Sequence, residues 1–243
     1  VYIFVLTILS INSLFFIHSY FFKTDIFFDL IGSISFISIG ILSLILIPNV
    51  DGNQILIFFL LIFWALRLGP YLFLRRLGSG ADERLDEYFK SPLSLYFLWV
   101  MNSLWVFMTS ISMIIIFSSN ENYNFGLTQW LGLLVWVLGF IIEVVSDSQK
   151  SKFNKKNKGK FINTGLWRYI RHPNYLGEIV IWTGIFVISI SYINSIFTSL
   201  SILSPIFVYV LLRFLTGVPQ LEVRGDEKWG KQKEYIDYKK ETG

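Results

Sequence analysis

A chain of 243 residues that is 53% hydrophobic and 16% charged, with a mean hydropathy of +0.56, has more apolar surface than one aqueous core can bury, so lipid must be its solvent. The absence of cysteine excludes disulfides, thiolate metal sites and a cysteine nucleophile, and two histidines leave no multi-histidine metal centre to expect. The net charge of +4 is small, so the placement of charge matters more than its sum, and no nucleic-acid partner is expected.

A membrane-spanning helix needs about 20 mostly apolar residues. Seven stretches meet this in chain order: Val1–Phe22, Ile26–Ile47, Gln54–Leu74, Leu93–Phe117, Leu127–Val145, Tyr175–Ile190 and Ile196–Leu215. The first shows no basic n-region and no small-residue cleavage site, so it reads as a span and not as a signal peptide. The chain opens on Val1, so a few residues are expected to precede it. The expected fold is all-α: a single polytopic membrane domain over 1–243, with a cytoplasmic loop at 147–174 and a soluble tail at 216–243.

The loops carry a strong asymmetry. Pro48–Asn53, Ser118–Phe125 and Ser191–Asn194 contain no Lys or Arg. The alternate set (Phe22–Asp25, Arg75–Pro92, Asp147–Asn174 and the tail after Leu215) holds nearly all of them. The positive-inside rule then places the N-terminus outside and the C-terminus in the cytoplasm. In a bacterium the membrane would be the cytoplasmic one, in a eukaryote one of the endoplasmic-reticulum type.

Ionisable groups near spans are functional candidates by default. Arg67, about two turns before the end of the third span, either snorkels to the interface or turns inward to hold an anion. Glu143 and Asp147 are four apart and share a helix face at the end of the fifth span, where the helix dipole disfavours them. They are either offset by Lys150 and Lys152 or reserved for hydroxyl or amide groups of a ligand. The Lys-rich run from Lys150 to Lys160 suits anionic lipid headgroups.

The densest cluster is Thr164-Gly-Leu-Trp-Arg-Tyr-Ile-Arg-His-Pro-Asn-Tyr-Leu-Gly-Glu178. It gathers Trp167, Arg168, Arg171, His172, Asn174, Tyr175 and Glu178 at a membrane entry. Pro173 suits the first turn of a helix, which puts Asn174 and Glu178 on one face with Gly177 between them. A helix start beside two arginines suits a phosphate or carboxylate. In the tail, Glu222, Arg224, Trp229, Tyr235 and Tyr238 suggest packing back over the cytoplasmic end.

At these residues the chain resembles the DUF1295 family, relatives of the steroid 5α-reductases. The resemblance is carried by Gly139–Lys150, by Gly159–Glu178, by Arg67-Leu-Gly with the later Arg75-Arg76 and Asp82-Glu-Arg84, and by the tail residues Pro219, Glu222, Trp229-Gly230, Tyr235, Tyr238 and Thr242. It covers roughly residues 60–243. It implies seven membrane helices, an NADPH pocket open to the cytoplasm and a lipid-like substrate entering from the bilayer. The cofactor-binding residues it implies are Arg67, Glu143, Asp147, Lys150, Trp167, Arg168, Arg171, His172, Asn174, Tyr175, Glu178, Glu222 and Tyr235.

Two departures bear on the substrate. Trp64 stands where the steroid enzymes have a Tyr, one turn before Arg67, and the second span has no acid in its core. A steroid substrate is therefore not expected. The expected reaction is NADPH-dependent reduction of an activated C=C bond in a hydrophobic substrate, with Tyr71, His172 or Tyr175 polarising the carbonyl. The alternative is a methyltransferase using S-adenosylmethionine. Isoprenylcysteine and phospholipid methyltransferases share an Arg-His-Pro-x-Tyr-x-Gly run like Arg171–Gly177.

Overall fold

The computed structural model describes residues 1–47, 49–79, 86–119 and 123–243. Asp82-Glu83-Arg84, part of the family resemblance, lies outside them. Among the described residues the chain is all-helical, and seven helical segments are long and apolar enough to cross a membrane. The chain forms two compact units: Val1–Phe125 with Ser191–Ser201, and Gly126–Ile190 with Ile202–Gly243.

The first unit contains α1 (Tyr2–Phe22), α2 (Phe28–Leu46), α3 (Gly52–Ser79) and α4 (Pro92–Phe117). Local signals set the helix starts. Asp51 Oδ1 accepts the Gln54 N–H at 2.7 Å and Gln54 Oε1 accepts the Asp51 N–H at 3.0 Å, a capping box that opens α3. Ser91 Oγ accepts the Ser94 N–H at 3.1 Å, with Pro92 opening α4. The Asp25 carboxylate takes two nitrogens of Arg76, which ties the α1–α2 link to the far end of α3. At the other end of α3, Asp51 Oδ2 accepts the Tyr192 hydroxyl at 2.9 Å.

α3 continues past the expected end at Leu74 to Ser79, so Arg67 lies about three turns inside it. Pro70 sits within this helix and does not end it. The interior of the unit is filled by aromatic rings: Trp64 meets Phe36 edge-on at 5.1 Å between centroids, and Phe36 meets Trp105 at 5.3 Å. A Cβ added at Gly32 would strike the Trp105 ring.

The second unit contains α5 (Leu127–Lys156), α6 (Pro173–Ser189), α7 (Leu203–Val210), α8 (Val218–Trp229) and α9 (Lys233–Glu241). α5 corrects the sequence reading, which ended this span at Val145. Its 30 residues reach about 45 Å, against about 30 Å of hydrocarbon. Nothing between Val145 and Lys156 breaks a helix, and lysines in the last turn suit the dipole. Glu143 and Asp147 are therefore well inside a helix, so the dipole argument against them does not apply. The seventh segment also differs from the single helix expected. It enters as a 3-10 turn (Thr198–Ile202), becomes α7, and leaves through a π-helical turn at Leu211–Leu215.

α5 and α6 pack backbone to backbone. A Cβ at Gly132 would lie 2.7 Å from Gly184 O, and one at Gly184 2.6 Å from Trp136 N. A Cβ at Gly139 would lie 2.8 Å from Gly177 O, and one at Gly177 2.7 Å from Glu143 N. The pairs run in opposite order, so the helices are antiparallel, and the glycines repeat every seven residues on each. Small residues let helices approach this closely in lipid, where dispersion replaces the hydrophobic effect as the attraction.

Gly139→Ala or Gly177→Ala should destabilise the protein by about 1–3 kcal/mol, because the new methyl meets backbone that cannot move aside. Gly78→Ala, where an added Cβ meets nothing within 4 Å, should be neutral or slightly stabilising. Thermal unfolding in one detergent compares the three, and equal melting temperatures would disprove the tight seam.

Candidate functional site

The last turns of α5 hold the segment that precedes α6. Ser146 O accepts the Trp167 indole N–H at 3.0 Å, and Gln149 Oε1 accepts the Leu166 N–H at 2.9 Å. Lys150 Nζ lies 4.6 Å from the Trp167 ring centroid. Gly165 permits this docking: its φ is +63°, and a Cβ would run into the Gln149 amide. His172 precedes Pro173 in a non-helical conformation, and α6 starts at Pro173.

The tail folds back onto the same segment. The Tyr238 hydroxyl donates to Trp167 O at 2.5 Å, and the Trp229 indole donates to Gly159 O at 2.7 Å. The Phe161 ring packs against those of Trp229, Tyr235 and Tyr238. On α8, Glu222 becomes the hub of an ion-pair network. Its Oε2 accepts from Arg171 Nη1 at 2.8 Å and from Lys239 Nζ at 2.9 Å, and its Oε1 accepts from His172 Nε2 at 2.8 Å.

These elements enclose a cavity of about 400 Å³. Among the described residues that line it, five are cationic (Lys150, Lys160, Arg171, Arg224 and Lys228) and one, Glu222, is acidic. Phe161, Trp167, Trp229, Tyr235 and Tyr238 supply flat apolar walls. Three buried polar atoms have no hydrogen-bond partner among the described residues: Arg171 Nε, His172 Nδ1 and Asn174 Oδ1. They come from four consecutive positions. Arg171 and His172 line the cavity, and Asn174 begins the adjoining helix.

A model of the family described as "Protein of unknown function (DUF1295)" matches residues 15–242. The chain belongs to the DUF1295 family. A Schizosaccharomyces pombe relative, titled "Uncharacterized protein C594.04c", is 26% identical over 170 residues, which is 57% of this chain and 49% of that protein. The chain thus spans about half the length of that relative. No solved structure matches.

The tautomer of His172 follows from its partner. A carboxylate only accepts, so the neutral ring carries its proton on Nε2, facing Glu222, and Nδ1 is a bare acceptor. Burial holds its pKa below the usual 6.5, against the opposing pull of Glu222 and with help from Lys150 and Arg171. Burial also raises Tyr235 and pushes Tyr238 up to about 12, so both phenols stay protonated as donors.

Other expected residues are distributed as follows. Lys150, Trp167, Arg171, His172, Glu222 and Tyr235 line the cavity. Glu143 and Asp147 are buried on α5, at 2% and 4% exposure. Tyr175 is half-buried, with its ring 5.8 Å from His172 and nearly parallel to it, and Glu178 is also half-buried. Arg168 is exposed and is not among the lining residues. Arg67 and Tyr71 belong to the first unit, where the Arg67 guanidinium lies 5.2 Å and that of Arg75 5.8 Å from the Tyr71 ring centroid.

The sequence reading did not assign Lys160, Arg224, Lys228 or Tyr238 to the site. One available signal was the helical spacing of Leu221, Arg224, Gly225 and Lys228, which places a small residue and two cations on one face of α8.

The unfolded chain takes up a proton near pH 6.5 that buried His172 resists, so stability should be full above that pH and fall as pH drops through it. The melting temperature should be lower at pH 5.5 than at pH 7.5, and His172→Gln should reduce the difference. A slope unchanged in that variant would remove His172 as its cause.

Proposed function

We propose that this protein is a membrane-embedded, NADPH-dependent reductase of an activated C=C bond in a hydrophobic substrate that enters from the bilayer. The observation that carries this reading is the cavity of the second unit, with five cations around it, a single carboxylate and three unmatched polar atoms on Arg171, His172 and Asn174. A ligand suited to it is polyanionic and also carries amide and hydroxyl groups. The phosphates of NADPH fit that charge. S-adenosylmethionine, which carries a net positive charge, fits it poorly, and this weighs against the methyltransferase alternative. The volume suits a nucleoside-phosphate portion of the cofactor rather than the whole. The positive-inside rule supports a cytoplasmic position for this cavity, because the loops beside it are the basic ones.

When bound, NADPH would supply a hydride to the β carbon of an enone-type acceptor. Lys150, Lys160, Arg224 and Lys228 would neutralise phosphate, while Trp167 and the tail tyrosines give flat surfaces and hydroxyl donors. His172 Nδ1 would accept a hydroxyl or amide proton, and Asn174 and Glu178 would orient an amide. Neutral His172, with its proton held by Glu222, presents an acceptor, which leaves Tyr175 as the second unit's candidate donor to a carbonyl oxygen where negative charge develops.

Thermal unfolding in detergent tests the reading. NADPH at a hundred times its Kd should stabilise the protein by about 2.7 kcal/mol, with NADH giving less and S-adenosylmethionine nothing. Asn174→Ala and Arg224→Ala should each weaken the NADPH response. A response to S-adenosylmethionine alone would transfer the site to methyl transfer, and no response to any nucleotide would sink the cofactor assignment.

A further inference from the structure

The basic run at the end of α5 is divided by the helix into two faces. Successive residues of an α-helix turn by about 100°. Lys150 and Asn154, four apart, line the cavity, and Asn157 at the C-cap joins them. Lys152, Lys155 and Lys156, spaced by three and four, lie on the opposite face: all three are exposed, and none lines the cavity. None of them forms an ion pair among the described residues, and the chain carries no acid between Asp147 and Glu178.

The lysine face continues an apolar one. Leu134, Val137, Leu138, Ile141 and Val145 are exposed along the middle of α5. Continued by threes and fours, the same stripe passes through Ser148 and reaches Lys152, Lys155 and Lys156. Trp136, Gly139 and Glu143 occupy the other side of the helix, where they meet α6. The stripe is therefore apolar along the span and turns cationic where the helix leaves the hydrocarbon. Lys152 lies about 10 Å and Lys156 about 16 Å beyond Val145 along the axis, against a headgroup layer of about 5–7 Å. Helical side chains lean toward the helix N-terminus, here back toward the membrane. The long lysine stems thus bring their ammonium groups within the Debye length over which anionic lipids attract them.

We propose that the Lys152–Lys155–Lys156 face of α5 is a docking surface for the headgroups of anionic phospholipids in the leaflet at that end of the helix. A soluble acidic partner would match the charge, but the continuity of the lysines with the exposed apolar stripe sets them over lipid. This inference is separate from the cofactor reading, because none of the three lysines lines the cavity and no nucleotide enters the test.

The chain has no cysteine, so Ser148→Cys gives a unique labelling position on the stripe, one turn before Lys152. The full chain carrying a bimane fluorophore there is placed in bilayers that mix phosphatidylcholine with phosphatidylglycerol. A nitroxide quencher is carried on the acyl chains of one lipid or the other, and the two quenching curves give their relative association at this position. Phosphatidylglycerol should be preferred at least about fivefold, the effect of one engaged lysine. The preference should fall toward one in about 0.5 M NaCl, and with the triple substitution Lys152→Gln, Lys155→Gln and Lys156→Gln. It should persist with Lys231→Gln and Lys233→Gln, which remove two exposed lysines outside α5. Equal quenching by the two lipids, a preference that survives the triple substitution, or one that the Lys231 and Lys233 changes remove equally, would overturn the proposal. If the triple variant does not fold, the salt series on the labelled chain decides, and a preference indifferent to salt is the overturning result.

Discussion

The second unit is organised by the contact of α5 and α6 at backbone distance. Gly132 and Gly139 on one helix meet Gly184 and Gly177 on the other, and no side chain separates them. In lipid the hydrophobic effect does not press helices together, so close dispersion contact has to supply the attraction. The seam also fixes geometry. Gly177 lies against Glu143, one turn from Asn174 and next to Glu178, so the polar start of α6 is set against the acidic stretch of α5 by backbone rather than by flexible side chains.

On this rigid pair sits an electrostatic arrangement completed by the tail. Arg171, His172 and Lys239 converge on Glu222, and the carboxylate offsets charges that would otherwise repel one another. The same contact decides what His172 can do. With Nε2–H committed to Glu222, the ring presents an acceptor, and burial keeps it neutral. A residue that sequence alone leaves open as donor, acceptor or cation is thereby narrowed to one form near neutral pH. Arg171 shows the same logic: its Nη1 is held by Glu222 while its Nε has no partner among the described residues.

The first unit has a different character. Its interior is packed with aromatic rings, and Trp64 is buried against Phe36. Tyr71 is itself surrounded by charge, with Arg67 and Arg75 each over its ring.

The number of membrane helices, the all-α class and the DUF1295 motif were all legible in the sequence, because hydropathy over about 20 residues and local motif spacing are properties of short segments. So was the clustering of Arg171, His172 and Asn174, which are neighbours in the chain. The end of α5 was not legible: an apolar count stops at Val145, whereas helical hydrogen bonding runs on through polar residues to Lys156. Neither was the pairing of Glu222 with residues about 50 positions earlier, nor the recruitment of Lys160, Arg224, Lys228 and Tyr238 to the cavity wall. The tail aromatics do point to its packing back, and the spacing of Leu221, Arg224, Gly225 and Lys228 does mark one face of α8, but which residues that face meets depends on where α8 and α9 return. The sequence by itself determined that the protein lies in a membrane and which residue types gather at one entry point. Only the tertiary structure decided which of their atoms are already paired and which remain open to a ligand.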